Sequence, residues 1–140
     1  MTLKQLIDAL NAIAMEQPAI RTALEKGNIY ELNSKRDARF GVFCATQQTH
    51  EYNLETAQMD YRFWLYYVDR LKSNESNKID AQSTAIQVIN NILRTLEKEY
   101  DVEVSDIVYT PFTESFSEMC CGCYCSVTIS VFDDGCVEQF

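Results

Sequence analysis

Glycine and proline are scarce, with 4 and 2 in 140 residues, which excludes collagen-like repeats, proline-rich linkers and a loop-dominated scaffold. Histidine is limited to His50, and without it no Ser/His/Asp or Cys/His arrangement for nucleophilic catalysis can be built. Basic residues are outnumbered, 12 Lys and Arg against 21 Asp and Glu, for a net charge of −9. That balance excludes a phosphate-neutralising surface. It suits a channel through which DNA slides without sticking, because like charges repel. No apolar run reaches the length of a membrane span, so no membrane contact is expected. No Walker loop, dinucleotide fingerprint or HExxH occurs, and no cofactor is expected. The opening MTLKQLIDALNAIAM lacks a basic n-region, and Asp8 and Asn11 interrupt it. A signal peptide is therefore not expected, and the chain should stay in the reducing compartment where it is made.

What is present is enough apolar residue, 46%, to fill the core of a single domain over 1–140. Thr2 to Met15 reads as a helix, with Leu3, Leu6, Ile7, Leu10, Ile13 and Ala14 on one stripe and a capping box from Thr2 to Gln5. Pro18 ends it. Ile20 to Leu24 fits a short strand or a helical piece. Gly27-Asn28 marks a turn, with Asn28 placed to cap one helical turn over Ile29 to Leu32. Phe40 to Thr46 is a strand, with Phe40, Val42 and Cys44 on one face. Gln47 to Gln58 is polar and reads as a long hairpin loop. It leads into the densest aromatic stretch, YRFWLYYVDRL, Tyr61 to Leu71. Tyr61, Phe63, Leu65 and Tyr67 point one way there, and Arg62, Trp64, Tyr66 and Val68 the other. Neither face is polar throughout, which predicts a central strand covered on both sides, by helices on one and by a partner on the other.

Asp80 to Glu99 reads as the longer helix, with Ile86, Ile89, Leu93, Leu96 and Tyr100 on its stripe and Ala85, Val88 and Ile92 widening it. Val102 to Tyr109 is a strand that Pro111 breaks, Thr113 to Glu118 a connector, and Met119 to Phe132 the last strand. Asp133-Asp134-Gly135 marks a turn. The expected fold is α+β, a mostly antiparallel sheet with two main helices packed on it.

The cysteines offer the most tempting chemistry. Cys120 and Cys123 have CxxC spacing and are the candidate metal ligands, but Cys44, Cys136, His50 and the remaining cysteines of CCGCYC supply no second pair. Strand register explains the cluster more simply. Met119, Cys121, Cys123, Cys125, Val127, Ile129 and Val131 occupy alternate positions, where small buried thiols belong. His50 reads as an exposed loop residue, and Asp133 and Asp134 as acidic turn residues rather than a calcium loop. Candidate contact residues for assembly are His50, Glu51, Tyr52, Arg62, Trp64, Tyr66 and Arg70.

Four stretches carry a family resemblance: NSKRDARFGVF (Asn33 to Phe43), FWLYYVDRL (Phe63 to Leu71), SNKIDAQSTAI (Ser76 to Ile86) and YTPFTESFSEMCCGCY (Tyr109 to Tyr124). They resemble small virion proteins of tailed phages of gut Bacteroidetes, the crAss-like group included. The order of helices and strands also resembles the tail-terminator and neck-ring fold. The resemblance implies a virion protein, not an enzyme, that forms a homo-oligomeric ring between head and tail or at the end of the tail tube. Its neighbours would be portal, neck and tail proteins, and DNA would pass through the ring without specific binding. It implies no functional residue in the cysteine-dense stretch. The alternative left open by the residues is a cytosolic metal- or redox-responsive binding protein built on Cys120 to Cys125.

Overall fold

The computed structural model describes residues 1–34, 38–116 and 118–132. Its elements in chain order are α1 (Leu3–Met15), β1 (Thr22–Ala23), a 3-10 helix (Ile29–Asn33), β2 (Val42–Gln47), β3 (Glu51–Asn53), β4 (Gln58–Arg70), α2 (Lys78–Glu99), β5 (Val102–Ser115) and β6 (Met119–Phe132). The fold is α+β. Among the described residues the strands form one six-stranded sheet in the order β1-β2-β4-β6-β5, with β3 paired to β4. All of these pairings are antiparallel except β1 with β2. Both α-helices pack on one face of the sheet, with Leu6, Leu10, Ile13, Ile89, Ile92 and Leu96 buried against Phe43, Phe63, Leu65, Cys125 and Ile129.

Local chemistry explains the helix ends. Thr2 accepts from the Gln5 amide and the Gln5 side chain accepts from the Thr2 amide, at 3.2 and 2.8 Å, which closes the capping box of α1. Asn28 caps the 3-10 helix in the same reciprocal way with Glu31. Helix α2 starts at Lys78, two residues before Asp80. Asn77, just ahead of it, makes no cap bond. It accepts from the Lys72 amide (2.9 Å) and donates to the Arg70 carbonyl (2.7 Å), tying the preceding loop to the end of β4. The buried stripe of α2 is Ala81, Ala85, Val88, Ile89, Ile92, Leu93 and Leu96, so Ile86 and Tyr100, at 37% and 38% exposure, fall at its border rather than in the core.

Three expected strand assignments are corrected. Strand β5 does not stop at Tyr109. It runs through Pro111, which sits opposite Cys123, and continues to Ser115. An edge strand tolerates proline because half its amides need no partner in the sheet. The stretch from Gln47 to Gln58 is not one loop. Glu51–Asn53 forms β3 and pairs with Gln58–Asp60, leaving a tight turn over 54–57. Asn53 fixes that turn by accepting from the amides of Glu55 (2.9 Å) and Thr56 (3.2 Å). Strand β2 starts at Val42, two residues after Phe40.

The sheet has its own adjustments. Between the Ser105–Thr128 and Val108–Ser126 pairs, β5 carries one extra residue, and Asp106 there has φ 56°. This bulge reverses the alternation, so that Val104 before it and Tyr109 after it both face the helices. Gly122 admits no other residue at its backbone position. A Cβ there would lie 1.9 Å from the Tyr67 carbonyl oxygen of the neighbouring strand.

Candidate functional site

Strand β4 lies in the middle of the sheet and alternates as its sequence requires. Tyr61, Phe63, Leu65 and Tyr67 are buried under the helices, while Arg62, Trp64 and Tyr66 are half-buried on the opposite face. That opposite face is where the structure gathers the aromatic side chains. The register sets Tyr66 against Tyr124 on β6, and Tyr124 against Thr110 on β5. Trp64 stacks on Tyr124 with centroids 4.7 Å apart and planes 28° apart. Tyr124 stacks on Tyr66 at 5.4 Å and 25°. Tyr66 then meets Phe112 on β5 at 6.0 Å, tilted by 59°. All of these fall within the range of favourable offset and tilted aromatic pairs. The result is a ladder of rings across three neighbouring strands, each ring half-buried by its neighbours.

The chain covers one end of this face itself. Leu24, Ile29 and Leu32 of the β1 to 3-10 segment pack on Val42, Cys44, Val68 and Cys120, with Tyr66, Phe112 and Phe116 at the margin. A partner is therefore not needed over Val68. Trp64 lies outside this second core. Burial pushes the Tyr66 hydroxyl up to about 12, with Tyr124 beside it as the next cause.

Charged side chains stand at both ends of β4. Arg62 pairs with Glu51 at 2.9 Å. Arg70 pairs with Glu118 at 2.9 Å, and its guanidinium lies 5.1 Å over the Phe40 ring. These pairs are largely exposed and worth about 0–1 kcal/mol each. At the Arg62 end of the strand, Asp60 accepts from Gln58 and from Ser130, each at 2.7 Å, and those bonds hold its carboxyl below the usual range.

The residues expected at an assembly surface thus divide. Glu51, Arg62, Trp64, Tyr66 and Arg70 share the face opposite the helices. Tyr52 pairs with Met59, whose position faces the helix side, and is 47% exposed there. His50 is not a free loop residue. Its ring packs on Tyr61 (5.3 Å) and Phe63 (5.9 Å) at the bend between β2 and β3. The Arg62 amide donates to His50 Nδ1 at 3.2 Å, so Nε2 carries the proton and donates to Gln47 Oε1 at 3.0 Å. Burial, then the Arg62 charge, lowers its pKa.

The cysteines follow the register. Cys123 and Cys125 belong to the core beneath the helices, and Cys120 to the smaller core on the other face, so the CxxC pair is split across the sheet. Cys120 and Cys123 therefore cannot grip one ion together. Burial pushes the thiols up, Cys44 and Cys125 to about 11 and Cys120 to about 12, which suppresses the thiolate that metal binding and exchange require. No group of three or more His, Cys, Asp or Glu positioned for a metal occurs among the described residues. Met119, expected on the apolar face, is 49% exposed at the end of the sheet. Asp133, Asp134, Gly135 and Cys136 lie outside the described residues.

Sequence reasoning missed Tyr124 and Phe112 as members of the surface. Tyr124 is a lone ring among Ser126, Thr128 and Ser130, and its partnership with Trp64 depends on a pairing across some sixty residues of chain. Comparison of the chain with protein-family models and with curated protein sequences found no match.

Proposed function

We propose that this chain is a structural subunit of a ring in the neck or tail of a tailed phage. Copies assemble with one another and stack on adjacent portal, neck or tail proteins, and DNA passes through the opening unbound. The observation that carries the assembly reading is the Trp64–Tyr124–Tyr66–Phe112 ladder, a partly buried aromatic surface on the sheet face away from the helices. Aromatic anchors of this kind, flanked by charged residues, have the anatomy of an interface core with a polar rim.

Magnitudes identify which part does the binding. Fully burying a large apolar side chain contributes about 1.5–3 kcal/mol. An exposed ion pair contributes about 0–1 kcal/mol. Trp64 and Tyr124 are therefore the anchors, while Arg62–Glu51 and Arg70–Glu118 select orientation. The charge of −9 on each copy supports the conduit role, since a ring repeats it around the opening and repels the phosphate backbone. The phage setting rests on the sequence resemblance.

Native mass spectrometry tests the anchor assignment. The wild type should appear as a multimer, and the Trp64→Ala/Tyr124→Ala variant should shift to monomer at the same concentration with its fold intact by circular dichroism. A variant that assembles like the wild type would remove the aromatic ladder from the interface.

A further inference from the structure

We infer that Glu97 and Pro111 guard the outer edge of β5 against strand pairing with a second copy of this chain. Strand β5 ends the sheet, and among the described residues no strand pairs with its outer side. An open edge is a row of unpaired amides and carbonyls, and it templates another strand. This edge runs over 14 residues, longer than most strands. It also carries Ile107 and Val108 at 44% and 59% exposure. Two copies related by a two-fold axis would meet there with their β5 strands antiparallel.

The chain withholds the donors of that edge. The Val102 amide donates to the Tyr100 carbonyl at 3.0 Å, and the Val104 amide to Glu97 Oε2 at 2.9 Å. Both amides therefore point away from β6, and both are already taken. Glu97 reaches them from the last turn of α2. The extra residue between Ser105 and Val108 then breaks the edge and shifts its alternation. Past it the outward positions are Tyr109, Pro111, Thr113 and Ser115. Pro111, inside this second stretch, has no amide to offer. Charge acts in the same direction. Glu97 sets a carboxylate on the edge, and Glu103, Asp106 and Glu114 are exposed along the strand, so two such edges repel. A two-fold edge contact is isologous and stops at a dimer, whereas a ring needs a contact that propagates. Keeping copies free for the ring rests on the assembly reading above, but the guard acts on a lone monomer in the same way.

Sedimentation velocity tests the guard in a Trp64→Ala/Tyr124→Ala parent, where the aromatic ladder contributes nothing. Adding Glu97→Ala and Pro111→Thr frees one outward amide and supplies another. Dimerisation should tighten by at least about tenfold over the parent. Hydrogen exchange should slow at the Val104, Tyr109 and Thr113 amides in that dimer. Pro111→Thr added alone leaves the Glu97 bond in place and should fall between the two, a comparison that decides the matter if the larger set of substitutions fails to fold. Variants that sediment like the parent overturn the guard. So does a dimer whose β5 amides exchange as fast as before. A variant that melts lower yet stays monomeric overturns it too, and leaves Glu97 as a tie between α2 and β5. Because the ladder is removed throughout, the outcome does not depend on whether the wild type forms a ring.

Discussion

His50 fastens the bend between β2 and β3 in one protonation state only. Its Nδ1 accepts from the Arg62 amide, so a second ring proton would set one N–H against another. The folded pKa lies below the ordinary 6.5, because burial and then Arg62 disfavour the charged ring. The unfolded chain therefore binds the proton more readily in that interval. The stabilising contribution is whole above pH 6.5 and is lost as pH falls from there through the depressed folded value. Thermal melts should show a lower Tm at pH 5 than at pH 7.5, and His50→Gln should shrink that difference. An unchanged difference in the variant would assign the pH dependence elsewhere. The Asp60 carboxyl, also held down, loses its contribution only at pH values below its ordinary 3.8, outside this window.

At the scale of elements, the two helices hold the sheet through a narrow set of side chains. Ile89 is fully buried on α2 while Ile86, one turn earlier, is 37% exposed. Ile89→Ala should cost about 2–5 kcal/mol in urea unfolding, and Ile86→Ala less than about 1 kcal/mol. Equal losses would place the helix in a different rotation. The sequence periodicity alone does not separate these residues, since both fit an i, i+3 pattern, and only the packed sheet decides which is central. The parts that were legible share a local cause. Thr2 and Asn28 announce their caps within three residues, the alternation of β4 stands in its own stretch, and the odd-numbered cysteines of β6 fall in step with Val127 and Ile129. The parts that were not legible depend on distant partners. Pro111 stays in a strand because β5 is an edge, β3 has no apolar alternation and exists through its pairing with β4, and the aromatic ladder needs the register of β4 on β6. The cover that Ile29 and Leu32 place over Val68 is likewise a tertiary contact between short apolar pieces.

For the whole molecule, the decisive feature is an asymmetry between the two sheet faces. One is closed by α1 and α2. The other is closed by the 3-10 segment at one end and left to the aromatic ladder at the other. At −9 per copy, association must overcome electrostatic repulsion, and that repulsion falls as salt screens it. The assembled state should therefore be favoured by raising ionic strength from low salt to 0.15 M, unlike an assembly held by ion pairs. Electron microscopy of the purified wild type at 0.15 M salt measures the central claim directly. Class averages should show closed rings with rotational symmetry and a central opening. Fields of uniform monomers at micromolar concentration would contradict it.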